Sequence, residues 1–143
     1  MDKSQEYVNM CRLASEVQKL WVPKHGDFFQ GECGKIEVWV EGMHDQRCLT
    51  ANVRLSFEDG MPRTRRYVWL PRLDQLMELA QEPGKRFDQT TQTFFEWNKL
   101  DYGVLPGVPG KVFSSLEQVW LAFIMHRKHL QKWDGVDWRS CGE

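Results

Sequence analysis

Apolar residues recur at helical spacing at Tyr7, Met10, Cys11, Ala14, Val17 and Trp21, with Glu6, Arg12, Glu16 and Lys19 elsewhere on the barrel. That period predicts an amphipathic helix over residues 2–20. WVPKHGDFF stops it: Pro23 biases Val22 to an extended conformation, and Gly26-Asp27 marks a turn. The period then changes to two. KIEVWVEG alternates Ile36, Val38 and Val40 against Glu37, Trp39 and Glu41. CLTANVRLSFEDG alternates Leu49, Ala51, Val53, Leu55 and Phe57 against polar residues. Such alternation marks half-buried antiparallel strands. After Asp59-Gly60 turns the chain, TRRYVWL reads as a third strand, and Phe28-Phe29 suits a further short one.

Helical spacing returns in PRLDQLMELAQ, where Leu70, Leu73, Leu76, Met77 and Ala80 share a face and Pro71 suits the first turn. In DQTTQTFFEWNK, Asp88 as N-cap would start a helix with Phe94 and Trp97 on one side, although the threonines also favour a strand. The helix is the reading adopted. YGVLPGVPGKVF is a Gly- and Pro-rich loop. Ser114 and Glu117 match a capping box for a last, central helix, whose Leu116, Trp120, Phe123, Ile124 and Arg127 share a face. Asp134-Gly135 in WDGVDW fits a turn or tight hairpin that folds Trp133 and Trp138 back onto the body. These elements predict a single α+β domain over residues 1–143, a small antiparallel sheet packed against several helices.

Composition adds one unusual feature. Seven tryptophans among 143 residues demand an aromatic-rich core or surface. The net charge of −1 restricts nucleic-acid or anionic-membrane binding to a local patch. No apolar run is long enough for a membrane span and no export signal is visible. With Cys11, Cys33, Cys48 and Cys141 scattered, reduced thiols in a cytoplasm are the expectation.

The candidate chemistry is thin. His126 and His129 are three residues apart, and Arg127 stands where the H-E-x-x-H zinc motif needs glutamate. With Arg127, Lys128 and Lys132 they suit the negative end of a helix dipole instead. Cys33, His44, Cys48 and Cys141 lack the closely paired spacing of zinc ligands. GVLPGVPGKV fails as a phosphate loop, since Leu105 stands where glycine is needed and Val112 where Ser or Thr is. Asp74 and Glu78 lie together on a polar helix side. No metal site, cofactor or catalytic set is therefore expected. The best nucleic-acid candidate is RTRRYVW: on a strand, Arg63, Arg65, Tyr67 and Trp69 share a face, with Arg66 beside them. The competing reading is a solvated edge whose arginines discourage aggregation.

YVWLPRLDQLMELA and SSLEQVWLAFIMHRKHLQKWDGVDW resemble blocks of small uncharacterised proteins encoded by phages and prophages of low-GC Gram-positive bacteria. The likeness covers the N-terminal helix leading into WVPKHGDFF, the WLPRLDQL block and the SLEQVWLAF helix ending in KWDG; residues 84–112 match least. It implies provenance, not mechanism. Trp21, Trp69, Trp120 and Trp133 would be anchors of one core, with Leu73, Leu76 and Leu116 between them. The resulting expectation is a non-enzymatic phage or prophage accessory protein that contacts another macromolecule, a protein before a nucleic acid, and no membrane. Two alternatives stand beside it: nucleic-acid binding through Arg63, Arg65 and Arg66, and an enzyme or nuclease-like factor using residues such as His25, Asp27 and His44.

Overall fold

A computed structural model describes residues 1–31, 33–41, 67–99 and 113–141. The architecture is α+β, with helices and, among the described residues, two small antiparallel sheets. The chain divides into two compact units, Lys3–Pro71 and Arg72–Glu143, the second including Met1–Asp2.

In the first unit, α1 (Gln5–Leu13) is capped by Ser4, whose Oγ accepts from the Tyr7 N–H at 3.2 Å. The single helix expected over residues 2–20 is broken. Ala14 leaves helical geometry at φ −80°, ψ 65°, and a one-turn α2 (Ser15–Gln18) follows. The apolar period continues through the break because Ala14 and Val17 are both buried, so the spacing of residues conceals it.

Three short strands form a sheet in the order β2-β1-β3, with β1 Phe28–Gln30, β2 Ile36–Val38 and β3 Val68–Leu70. The β1–β2 turn places Gly34 at φ 82°, a conformation glycine adopts without steric cost. The inward parity of β2 corrects the sequence expectation. Trp39 is buried while Val38 is exposed. Trp39 meets Phe29 at 5.8 Å and Trp21 at 5.9 Å, both edge-on, and one indole buries far more area than a valine. The expected strand at 49–57 and the start of TRRYVWL lie outside the described residues.

The outer edge of β3 is covered by a side chain. Gln18 accepts from the Trp69 N–H at 2.8 Å and donates to the Trp69 carbonyl at 2.9 Å. Its amide thus does what a neighbouring strand would do for an exposed edge. Tyr7 ties the strand's exit to α1 by donating to the Pro71 carbonyl at 2.6 Å.

The second unit holds α3 (Leu73–Ala80), α4 (Phe87–Trp97), α5 (Leu116–His129) and a hairpin of β4 (Gln131–Trp133) and β5 (Trp138–Ser140). Pro71 lies before α3 instead of opening it, and Arg72 is the N-cap. Residues 118–125 of α5 are buried on every side, because α3, α4 and β4 all pack on this helix. The single face expected from the sequence is therefore corrected: Leu116 and Arg127, at its ends, are exposed.

The α5 start also shifts by one residue. Ser115 is the N-cap, its Oγ accepting from the Gln118 N–H at 3.2 Å. Buried Gln118 donates to Ser114 Oγ at 3.0 Å and to Asp2 Oδ2 at 2.8 Å. Glu117 accepts from the Asp2 N–H instead of closing a box with Ser114. At the other end Leu130 closes the helix in the left-handed region, at φ 52°.

Candidate interaction surface

Helix α4 begins at a local signature. Arg86 is the N-cap, its N–H donates to Gln89 Oε1 at 2.9 Å, and its guanidinium bridges Asp88. Helix α3 starts the same way, with the Arg72 N–H on Gln75 Oε1 at 2.9 Å and the guanidinium on Asp74. Arginine has no acceptor, so only the glutamine half of a capping box operates. The recurrence of Arg-x-Asp-Gln at 72–75 and 86–89 was a readable signal for both starts. It places the α4 cap at Arg86, not at Asp88 as expected. The threonines that favour a strand are accommodated: Thr91 and Thr93 donate to the carbonyls of Phe87 and Gln89, each at 3.0 Å.

The inner side of α4 is aromatic. Phe94 stacks on Trp120 of α5, centroids 3.9 Å apart and planes 3° from parallel. Phe123 stands edge-on to both, and Trp97 packs on Phe123 at 5.2 Å. The outer side is unusual. Phe87 is 54% exposed and Phe95 50% exposed. They are two turns apart, about 12 Å along the axis and about 80° around it, with Thr91 between. Phe95 is also backed by Phe94, edge-on at 5.5 Å. Two rings are thus presented to solvent from one helix.

The cations near the end of α5 tie helices together. Arg127 bridges Glu82 at 3.1 Å, and Lys128 donates to the Leu79 carbonyl at the end of α3. The Glu82 carboxyl is held below its ordinary range by the Lys85 hydrogen bond first and that of Arg127 second. His126 is half-buried and accepts at Nδ1 from Trp97 Nε1 at 2.8 Å. Among the described residues, no three His, Cys, Asp or Glu side chains are grouped to hold a metal.

Other expected site residues are dispersed. Arg63, Arg65 and Arg66 lie outside the described residues, as do His44, Cys48 and residues 103–112. Tyr67 is half-buried with its ring 5.8 Å from Phe29, and Trp69 is buried. Asp27 is buried and organises its loop, accepting from Trp21 Nε1 at 3.0 Å and the Lys24 N–H at 2.9 Å, while His25 is exposed. Of the four anchors, Trp21 and Trp69 stack within the first unit; Trp120 and Trp133 belong to the second, where Trp133 meets Trp138 at 5.1 Å.

The β4–β5 turn realises the hairpin suggested by Asp134-Gly135. Trp133 pairs with Trp138, and Gly135 takes φ 100°. Asp134 Oδ1 accepts from the Val136 and Asp137 N–H groups, each at 2.8 Å, while Oδ2 accepts from Arg139 at 2.9 Å. The Arg139 hydrogen bond, then those two N–H groups, pull the Asp134 carboxyl down to about 2. A depressed carboxylate stabilises the fold above its unfolded pKa of ~3.9, and that contribution is lost as pH falls through the folded value. The Val136 and Asp137 amide resonances should therefore stay constant from pH 5 to about pH 3 and move near pH 2. A midpoint near 4 would contradict the caged carboxylate.

Comparison of the chain with protein-family models, with curated protein sequences and with solved structures gives no match. No helix among the described residues is long and apolar enough to cross a membrane.

Proposed function

We propose that this is a non-enzymatic accessory protein of a phage or prophage that works in the host cytoplasm by binding another protein, with the outer side of α4 as its contact. The observation that carries this reading is the exposed pair Phe87 and Phe95. Isolated exposed leucines and valines are ordinary on protein surfaces. Two phenylalanines on one helix, one backed by a packed ring, offer large contact area at small entropic cost. Aromatic residues, phenylalanine among them, are enriched at protein interfaces, where a few anchor residues carry most of the binding energy. The block resemblance supports the provenance and leaves the partner's identity open.

A photo-reactive phenylalanine analogue at position 87 or 95, in the organism that carries the gene, tests the contact. Both positions should cross-link to the same discrete partner, and a control at exposed Gln5 should not. The Phe87→Ser/Phe95→Ser variant should stay folded and lose that partner, with affinity falling at least about 30-fold if either ring is a hot spot. Cross-linking equal at all three positions, or unchanged partner binding by the folded variant, would reject α4 as the contact.

A further inference from the structure

An indole N–H only donates, so the acceptor 2.8 Å from Trp97 Nε1 must offer a lone pair. That acceptor is His126 Nδ1, and the imidazole is therefore in the tautomer that carries its proton on Nε2. We propose that His126 is a pH-sensitive latch, which holds the end of α4 against α5 while Nδ1 is unprotonated and releases it when the imidazole takes a second proton. Protonation turns Nδ1 into a donor, so two N–H groups would face each other across the present hydrogen-bond distance. The bond is replaced by repulsion at the junction where Trp97 packs on Phe123 and His126. The latch belongs to the inner side of α4 and does not depend on the binding role of its outer side.

The charged groups on α5 and on the elements packed against it act in both directions. Arg127, Lys128 and His129 follow it on α5, and Lys132 lies on the adjoining β4, all opposing a further positive charge. The C-terminal carbonyls of α5 favour one. Glu96 and Lys99 flank Trp97 on α4. Asp74, Glu78 and Glu82 belong to α3 and the segment after it, and Glu82 is already engaged by Lys85 and Arg127. In every case the proton and the Trp97 bond compete for the same lone pair, and an unfolded chain takes the proton without that competition. Acid therefore favours opening, and the effect sets in as pH falls through the unfolded imidazole's value of ~6.5.

Amide-type exchange of the Trp97 indole N–H, assigned by its absence in Trp97→Phe, reads the latch directly. In His126→Asn the side-chain oxygen occupies the place of Nδ1 and accepts without titrating. Between about pH 7.5 and 5.5, Trp97 protection in the wild type should fall about tenfold relative to His126→Asn, the worth of one net hydrogen bond. Identical pH profiles would overturn the proposal. Should His126→Asn not fold, urea titrations of wild type and Trp97→Phe give the second measurement. The wild-type stability advantage should shrink from pH 7.5 to 5.5, and a constant difference between the two would overturn the latch.

Discussion

Trp120→Ala is expected to destabilise the protein by about 3–5 kcal/mol, the range for removing a large buried aromatic. Trp120 is 3% exposed and lies face to face with Phe94, with Phe123 edge-on. Truncation removes the indole from between α4 and α5 and leaves a cavity beside Phe94 and Phe123. Stacked and edge-on aromatic pairs add about 0.5–1.5 kcal/mol beyond area burial, so the upper part of the range is favoured. Leu116→Ala is the informative contrast. The sequence placed Leu116 on the same face as Trp120, yet it is exposed at the first turn of α5, and its truncation should cost under about 1 kcal/mol. Urea unfolding followed by circular dichroism gives both values. Losses of similar size would mean that α5 is rotated relative to the packing described.

What could be read from sequence follows from which interactions are local. The period of 3.6 located α3, α4 and α5, and Asp134-Gly135 located the hairpin, because side-chain spacing and turn chemistry depend on near neighbours. The caps were displaced by one or two residues, from Asp88 to Arg86 and from Ser114 to Ser115, because several adjacent polar residues could serve and tertiary partners decided. Gln118 chose Ser115 and drew in Asp2, which lies more than a hundred positions away. The β2 parity failed where Trp39 outweighed Val38 and Val40, a contest settled by Trp21 and Phe29 from other elements. The candidate surface was hidden for the same reason. Nothing in the sequence singles out Phe87 or Phe95; Phe94, Trp97 and Thr90 occupy the inner side of α4 and leave both rings exposed. The cations of MHRKHL suit a helix C-terminus, and nothing in them announces that His126 meets an indole 29 positions earlier.

Gln18 supplies the second large effect. Gln18→Ala should destabilise by about 2–3 kcal/mol, since it removes two hydrogen bonds and leaves the Trp69 N–H and carbonyl without their partner. Few surface glutamines cost so much; this one does because its target is backbone at a sheet edge. The opened edge should also make the variant more prone to self-association through strand pairing. Gln18→Glu separates the two bonds. The carboxylate still accepts from the Trp69 N–H but faces the Trp69 carbonyl without a proton to donate. Protonation restores that donor, so the folded state holds the new carboxyl's proton more tightly than the unfolded chain does. Its folded pKa is raised, and stability should be regained as pH falls toward and below the usual glutamate value of ~4.3. Gln18→Ala has no such recovery. Parallel urea titrations of the two variants at neutral and acidic pH should therefore converge on different outcomes: a persistent deficit for alanine and a narrowing one for glutamate. An alanine variant within about 0.5 kcal/mol of wild type, or a glutamate variant with no recovery relative to alanine, would show that the amide does not stand in for a strand at the β3 edge.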